Sequence, residues 1–287
     1  MPEVLGYEVP AEQGIEIVVD ILHSPVLVID TANGYSDGES ERRIAEGVRR
    51  AGGLPAGHWI ATKVDGKDGD YSGNRVRRSV EESAERLGLD RFPLVYLHDP
   101  EFALDQGLDE PGGAVDALIG LRDAGVIEHL GVAGGDVAVM NRFLDLGVFE
   151  VLLNHNRYTL VDRSADALFE RAAADGLGVV NAAYLGGGLL ANPDGPRSYA
   201  YRPAADATVE AALALRELCR AHGTDLPTAA LQLSLRDPRI HMSVVGFTKR
   251  SRLDGLPASV AQELPEEFWT AAEALLPDSR YWLDPPQ

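Results

Sequence analysis

Four residues of this chain could together move a proton to or from a carbonyl oxygen. Asp30, Tyr35, Lys63 and His98 stand at or just past the ends of the apolar runs V26-L-V-I-D30-T-A-N-G-Y35, W59-I-A-T-K63 and L94-V-Y-L-H98. A free phenol has a pKa of about 10, and a neighbouring ammonium favours its ionised form. The sequence therefore predicts Tyr35 as a general acid and base that is tuned by Lys63 and Asp30. His98 would orient the carbonyl group, and no metal is required.

Each of these residues also has an ordinary structural explanation. Tyr35 can be a partly exposed loop tyrosine, and Lys63 can be a solvated residue at a strand end. His98 can be a structural histidine beside Asp99 and Pro100. These residues lie at or just past the ends of three consecutive apolar runs. In a barrel of parallel strands the carboxyl ends lie on one face, so this placement favours a shared function. The sequence thus predicts a catalytic site at that face.

Short β-rich runs alternate with longer helical patterns, which indicates parallel strands joined by crossover helices. Gly, Asp and Pro supply the turns between them. The predicted strands are Val26–Ile29, Trp59–Thr62, Leu94–Leu97, Glu128–Val132, Glu150–Leu153, Gly178–Ala182 and Ile240–Val245, and the predicted helices are Glu39–Arg50, Arg75–Leu87, Gly113–Asp123, Val137–Leu146, Ser164–Ala174 and Ala207–His222.

This alternation predicts an α/β fold, a (β/α)8 TIM barrel that forms a single domain over residues 1–287. An eighth strand would have to lie in Pro2–Val9, a short run, so the predicted barrel has a shortened N-terminus. A long loop without periodicity, Tyr184–Pro203, follows the seventh strand, and loops of that length are usually functional or mobile. A doubly wound open sheet is the alternative, although no G-x-G-x-x-G follows the first strand.

Composition narrows the possible partners. The formal net charge is −19, which disfavours nucleic acid and anionic membranes as partners. The single cysteine, Cys219, excludes an intramolecular disulfide and is expected to be a buried, inert thiol. No apolar run reaches the roughly 20 residues needed to span a bilayer, and M1-P-E-V-L-G has no signal-peptide pattern. The expected location is the cytoplasm.

The same residues resemble a known family. D30-T-A-N-G-Y35-S-D-G-E-S-E41 is similar to the D-T-A-x-x-Y…G-x-S-E signature of the aldo-keto reductases, and A61-T-K63 and Y96-L-H98 resemble that family's lysine and histidine motifs. The resemblance implies a (β/α)8 barrel that binds NADPH or NADH without a Rossmann domain. It also implies Tyr35 as the proton donor.

Within the family, L153-N-H-N-R-Y158-T-L-V-D and G187-G-L-L-A191 resemble bacterial dehydrogenases that oxidise galactose, fucose or threo-aldoses at the anomeric carbon.

The resemblance also identifies candidate cofactor residues. Asn154 stands where the family holds the nicotinamide carboxamide, and an amide offers both a donor and an acceptor. Gly186, Gly187 and Gly188 could let backbone N–H groups approach the pyrophosphate, or could simply be flexible. The segment after strand eight grips the adenosine phosphate in the family, and here it contains Gly246, Lys249, Arg250 and Arg252. Its cations favour NADP(H), with NAD(H) possible, although a solvated helix start is an alternative explanation.

Three departures from the family pattern affect the cofactor site. G131-V-A133-G134-G135-D136 replaces a Ser-Asn pair, the stacking tyrosine falls near Ala182 with Tyr184 two residues on, and the usual phosphate lysine falls near Gly246. These departures leave open a barrel of low activity with a binding or regulatory role. Separately, Lys63 leaves open a lyase in which it is the Schiff-base nucleophile, although pairing with Asp30 would raise its pKa and disfavour that role. Neither the substrate, a small carbonyl compound or sugar, nor the oligomeric state is encoded in a recognisable pattern.

Overall fold

The computed structural model of the chain describes residues 9–285, which form two compact units. Among these residues, the first unit comprises residues 9–134, Val139–Val151 and Gly246–Leu253, and the second comprises Gly135–Ala138, Leu152–Val245 and residues 254–285. The predicted eighth strand falls mainly on residues 2–8, outside the described part. That strand, and the single domain, stay predictions.

Strands and helices alternate along the chain as the sequence predicts. The strands are β1 (Val28–Asp30), β2 (Trp59–Val64), β3 (Phe92–His98), β4 (Ile127–Gly134), β5 (Val151–His155), β6 (Gly178–Ala182), β7 (Ser198–Tyr199), β8 (Arg202–Pro203) and β9 (Met242–Ser243). The helices are α1 (Ala11–Leu22), α2 (Glu39–Arg50), α3 (Gly73–Leu87), α4 (Ala114–Asp123), α5 (Val137–Leu144), α6 (Asp166–Ala174), α7 (Asp206–Ala221), α8 (Leu226–Leu235), α9 (Arg250–Ala261) and α10 (Glu266–Ala274). All seven predicted strands and all six predicted helices are confirmed, with ends that shift by a few residues.

In the first unit, β1, β2, β3 and β4 are adjacent, parallel and in chain order. Most of the buried residues of these strands are apolar, as expected for a parallel sheet covered by helices. Local signals set the helix ends. The Ser72 hydroxyl accepts the Arg75 N–H at the start of α3, and Gly88, whose φ of 67° suits glycine, caps the end of α3. These elements hold the carboxyl ends of β1, β2 and β3 side by side.

In the second unit, β5, β6 and β9 are neighbours in that order, and β6 pairs with β9 in parallel. The segment Tyr184–Pro203 has no long periodic element, as expected, but it contains a 3₁₀ turn at Gly186–Gly188 and the antiparallel β7–β8 pair. Leu190 and Tyr199 are buried, and the Tyr199 hydroxyl donates to the Asn156 carbonyl at 2.6 Å. Packing within this unit therefore fixes the long loop.

The prediction for the single cysteine can also be compared with the structure. Cys219 is fully buried, and burial raises the pKa of its thiol to about 12, which fits an inert thiol. Phe268 and Trp269 are core residues of α10, whereas Tyr281 is 46% exposed. Within residues 9–285, every helix is too short or too polar to cross a bilayer.

Candidate active site

The register of three strands brings the predicted catalytic residues to one face of the sheet. Asp30 of β1 pairs with Ala61, and Lys63 of β2, two residues further on, pairs with Tyr96 of β3. His98 lies two residues beyond Tyr96. Side chains alternate between the faces of a strand, so residues two apart share a face. The sheet therefore gathers Asp30, Lys63 and His98 at the carboxyl ends of its strands, as the sequence predicts.

Tyr35 reaches this face from the turn that follows β1. The Tyr35 N–H donates to the Ala32 carbonyl at 3.2 Å, and its own carbonyl accepts the Ser40 N–H at the start of α2. The Asn33 N–H donates to the Lys63 carbonyl at 3.0 Å, and its side-chain amide donates to the Ser79 carbonyl of α3. These bonds fasten the turn to β2 and α3, so the phenol is held beside the end of β2.

Lys63 is the central cation of the cluster. Its ammonium donates to Asp30 Oδ1 at 2.5 Å and to the Thr31 carbonyl at 2.8 Å, and it lies 3.5 Å from the Tyr35 hydroxyl. Only 2% of the Lys63 side chain is exposed. Burial opposes the charge, but Asp30 and Tyr35 outweigh it, so the pKa of Lys63 is raised. The lysine is therefore a stable ammonium ion.

The electrostatics of Tyr35 differ from the sequence-based expectation. Burial raises the pKa of the Tyr35 phenol to about 12, because desolvation of the phenolate outweighs the opposing effect of the Lys63 ammonium. Asp30 and Asp99 raise it further. Lys63 thus acts on Tyr35 in the predicted direction without lowering its pKa below the usual value. The resulting group is a neutral phenol that can donate a proton.

His98 faces Tyr35 at the end of β3. Its imidazole packs edge-on against the phenol ring, with the ring centroids 5.6 Å apart, and its Nδ1 lies 2.6 Å from Asp65 Oδ1. Burial and Lys63 lower the pKa of His98, but the hydrogen bond to Asp65 and the charges of Asp65 and Asp99 more than compensate, so it is raised. Asp65 favours the protonated imidazole.

Two residues that the sequence analysis did not select hold this arrangement. Besides contacting His98, Asp65 accepts the Gly34 N–H at 2.6 Å through its second oxygen. The buried Tyr71 hydroxyl lies 2.7 Å from the carbonyl oxygens of Val64 and His98, and it accepts the His98 N–H at 3.0 Å. The position of Asp65 directly beyond a strand end was a usable signal, whereas Tyr71 lies in a loop that carries no recognisable pattern.

The second half of the D30…E41 motif has a structural use. Glu41 is fully buried, accepts a hydrogen bond from the Thr62 hydroxyl at 2.8 Å and forms an ion pair with Arg86 at 3.0 Å. Arg86 also donates to the Asn33 carbonyl in the Tyr35 turn. Glu41 therefore joins α2, β2 and α3 behind the turn and supports Tyr35 from a distance.

The candidate cofactor residues of the second unit are buried or already constrained. Asn154 is fully buried at the end of β5, where its amide donates to the Gly135 carbonyl at 2.8 Å. Gly186, Gly187 and Gly188 all have positive φ, and a Cβ at Gly186 would lie 2.3 Å from the Tyr199 ring. The N–H groups of Gly186 and Gly188 donate within the turn itself. Close packing thus explains at least Gly186.

The glycines that replace the Ser-Asn pair are also explained by packing. A Cβ at Gly134 would lie 2.5 Å from the Glu101 carboxylate, and one at Gly135 would lie 2.1 Å from the Arg157 guanidinium. Arg157 in turn forms an ion pair with Asp284 at 2.9 Å. Neighbouring side chains thus fill the space that side chains at these two positions would need.

The candidate phosphate segment lies in the first unit. Gly246, Lys249, Arg250 and Arg252 are exposed, and α9 begins at Arg250. Arg250 forms an ion pair with Asp20 of α1 at 2.6 Å, which already offsets one of the three cations. A helix N-terminus carries partial positive charge, so cations there gain from a bound anion. The donor set fits a phosphate group, with Lys249 and Arg252 as its main candidates.

Comparison with known proteins gives consistent matches. The sequence profile described as the Aldo/keto reductase family matches residues 5–277. D-threo-aldose 1-dehydrogenase of a Pseudomonas species is 32% identical over 73% of this chain, and the match spans 64% of that enzyme, a little under two thirds. L-galactose dehydrogenase of Arabidopsis thaliana is 28% identical over 93% of this chain and 85% of its own length.

Solved structures support the fold. An aldo-keto reductase from Bacillus halodurans, in its holo form, superposes with a TM-score of 0.76 at 22% identity, over 95% of this chain and 90% of that one. A putative 2,5-diketo-D-gluconic acid reductase B gives a TM-score of 0.73 at 21% identity. These likenesses confirm the α/β fold class that the sequence predicts.

Proposed function

This chain belongs to the aldo/keto reductase family, and on that premise we propose that it is an NAD(P)-dependent oxidoreductase that interconverts a carbonyl group and an alcohol. The observation that carries the proposal is the cluster in the first unit, in which the Lys63 ammonium contacts Asp30 at 2.5 Å and Tyr35 at 3.5 Å. Such a cluster offers a proton donor held in a fixed position next to a cation, which suits acid–base chemistry at an oxygen atom.

Each of the four side chains has a defined role in this proposal. In reduction, the Tyr35 hydroxyl gives its proton to the carbonyl oxygen, while a bound nicotinamide would supply the hydride to the carbonyl carbon. Lys63 stabilises the phenolate that remains, and Asp30 keeps Lys63 charged and in place. His98 orients the oxygen. In oxidation the same phenolate removes the alcohol proton, so one arrangement serves both directions.

For the cofactor, we propose Asn154 at the nicotinamide amide, Gly186, Gly187 and Gly188 near the pyrophosphate, and Gly246, Lys249, Arg250 and Arg252 at the adenosine phosphate. The exposed cations at the start of α9 support the last assignment, since the rest of the chain is strongly acidic. NADP(H) is the proposed preference because a 2′-phosphate gives these cations a partner, and NAD(H) remains the alternative.

We propose an aldose as the substrate. The relatives named D-threo-aldose 1-dehydrogenase and L-galactose dehydrogenase support this class. Oxidation at the anomeric carbon would pass a hydride from C1 to NAD(P)+ and a proton from the hydroxyl to Tyr35, which leaves a lactone. A single domain over residues 1–287 and a cytoplasmic location are part of the same proposal.

The lyase alternative is less compatible with the geometry. A Schiff-base lysine must be an unprotonated amine, and it needs a lowered pKa. The pKa of Lys63 is raised, and its ammonium is engaged by Asp30 and the Thr31 carbonyl. Lys63 is therefore a poor nucleophile, and its place is better explained by an electrostatic role.

Two measurements test the proposal, first of cofactor binding and then of turnover. The purified protein is titrated with NADPH and NADH by fluorescence, and then assayed with L-galactose and L-fucose and either oxidised cofactor. Binding of a cofactor, with an oxidation that disappears in Tyr35→Phe, is the expected result. Binding without turnover would instead favour the regulatory alternative. An oxidation that survives in Tyr35→Phe would reject the assigned proton donor.

A further inference from the structure

One carboxylate contacts both sides of the proposed site. Asp65 Oδ2 accepts the N–H of Gly34, the residue before Tyr35, and Asp65 Oδ1 lies 2.6 Å from His98 Nδ1. A Cβ at Gly34 would lie 3.0 Å from the Asp65 carboxylate, so the turn rests closely against it. The two carboxylate oxygens thus serve two different segments, the turn after β1 and the end of β3.

Asp65 is itself held in place by α3. Its N–H donates to the Ser79 hydroxyl at 3.2 Å, and its carbonyl accepts from Arg75 Nε at 3.3 Å. About 20% of its side chain is exposed, compared with 11% for His98. A carboxylate in such a fixed position determines where the proton of its partner lies, because it can only accept hydrogen bonds.

We propose that Asp65 is a positioning residue of the active site, which holds the Nδ1–H of His98 and leaves Nε2 as the ring atom that meets the substrate oxygen. This inference rests on the proposed carbonyl–alcohol chemistry. It adds a residue that the four-residue motif does not contain. Asp65 would act on the reaction through His98 and through the backbone ahead of Tyr35, without touching the substrate.

With Nδ1–H held by Asp65, Nε2 of His98 has two protonation states. In the imidazolium, Nε2 carries a hydrogen and donates to a carbonyl oxygen, which suits reduction. In the neutral ring with its hydrogen on Nδ1, Nε2 accepts, which suits the hydroxyl of an alcohol before oxidation. The pH at which His98 titrates would therefore separate the conditions that favour each direction.

The charges around His98 decide where that titration lies. Asp65 contacts Nδ1, the Asp99 carboxylate lies 3.7 Å from Nε2, and both favour the cation. Lys63 opposes it, and the neighbouring Tyr35 is a neutral phenol. Removal of the Asp65 charge should lower the pKa of His98, because one of the groups that favours the imidazolium is lost.

The substitution Asp65→Asn changes the charge and almost nothing else in shape. An amide oxygen can still accept the Gly34 N–H, and the NH2 group then faces His98 Nδ1. A neutral His98 would respond by placing its hydrogen on Nε2, since Nδ1 must now accept. Asp68→Asn is a matched control, because Asp68 is an exposed carboxylate in the same loop whose positive φ asparagine tolerates.

The test is a ¹⁵N NMR titration of the histidine rings in the free protein, with His98→Asn used to assign the signals. In the wild type we expect a neutral His98 with its hydrogen on Nδ1. In Asp65→Asn we expect titration at lower pH and a hydrogen on Nε2, while Asp68→Asn matches the wild type. A wild-type ring with its hydrogen on Nε2 would overturn the proposal even if Asp65→Asn did not fold, and so would an unchanged titration in that variant.

A kinetic test shows whether the pairing matters for turnover. The pH profile of kcat/KM is measured for reduction of 4-nitrobenzaldehyde with NADPH. In the wild type this rate should fall as the pH rises through the pKa of His98, because Nε2 then loses its hydrogen and only accepts. In Asp65→Asn the neutral ring carries a hydrogen on Nε2, so this falling limb should vanish. An equal loss at every pH would mean a purely structural role and reject the proposal. The NMR result is independent of turnover, so failure of the proposed function would be recognised separately.

Discussion

The Lys63 ammonium lies 2.5 Å from a carboxylate oxygen of Asp30, and only 2% and 13% of the two side chains are exposed. Removing one partner of such a pair leaves the other charge in a poorly solvated interior, which costs more than the pair itself contributes. The ion pair therefore connects the charge state of the proposed site with the stability of the first unit.

Removal of the Tyr35 hydroxyl should separate catalysis from binding. Tyr35→Phe is expected to lower turnover about 10²–10⁴-fold, the usual contribution of a positioned acid or base. Cofactor affinity should stay nearly constant, because the hydroxyl acts on the substrate oxygen. Steady-state rates and fluorescence titration measure the two effects, with Tyr281→Phe as an exposed control. Retention of half the wild-type turnover would contradict the assignment.

Lys63→Met should damage both stability and acid–base chemistry. Loss of the ammonium leaves Asp30 without its ion-pair partner and should lower the free energy of unfolding by about 3–5 kcal/mol. The phenolate also loses its nearest cation, so the pKa of Tyr35 should rise further and any residual oxidation should require higher pH.

Urea unfolding and a pH–rate profile distinguish these two effects. The double variant Asp30→Asn with Lys63→Met removes both charges and should recover part of the stability without recovering activity. A double variant as unstable as Lys63→Met would argue against the ion pair as the cause. An unchanged pH profile would argue against electrostatic tuning of Tyr35.

Much of this site could be predicted from the sequence because strand ends are set by local patterns. The apolar runs before Asp30, Lys63 and His98 fix which residues end each strand, and parallel pairing then brings those ends together. The position of Tyr35 followed from the same reasoning, since a short turn after a strand end cannot carry it far.

Other features depend on balances that no local pattern records. The pKa of Tyr35 reflects burial against the Lys63 charge, and its outcome needs the packed structure. The ion pair of Arg250 with Asp20 joins residues 230 positions apart and weakens the simple count of cations near α9. The position of Asp65 just beyond β2 could have marked it as a candidate, but its contacts with the turn after β1 and with the end of β3 depend on the folded geometry.

The Asp237 carboxylate in the second unit should contribute to the free energy of unfolding in a way that depends on pH. Burial alone would raise the pKa of this carboxyl, but hydrogen bonds from Arg239 and Tyr158 lower it to about 2. Since the unfolded value is about 3.9, the stabilisation is complete above about pH 4 and is lost as the pH falls towards about 2. Wild type should therefore exceed Asp237→Asn in unfolding free energy at pH 7, and the difference should shrink below pH 4. A constant difference across that range would contradict the linkage.

The cations at the start of α9 should determine the choice between NADP and NAD. Arg252 is the sharpest site to test, because Arg250 is already paired with Asp20. Arg252→Ala is expected to weaken NADP binding by about 1.5–3 kcal/mol, the range for hydrogen bonds to charged groups. NAD lacks the 2′-phosphate and should be affected far less.

Dissociation constants for both cofactors, measured at two ionic strengths, test this preference. Salt should reduce the NADP advantage of the wild type, because exposed charges are screened over about 8–10 Å. Arg77→Ala removes an exposed cation from α3 in the same unit and should leave the ratio of the two constants unchanged. Equal losses of NAD and NADP affinity in Arg252→Ala would mean that these cations do not bind the 2′-phosphate and are only solvated side chains at the start of α9. NAD(H) would then become the better assignment for the cofactor.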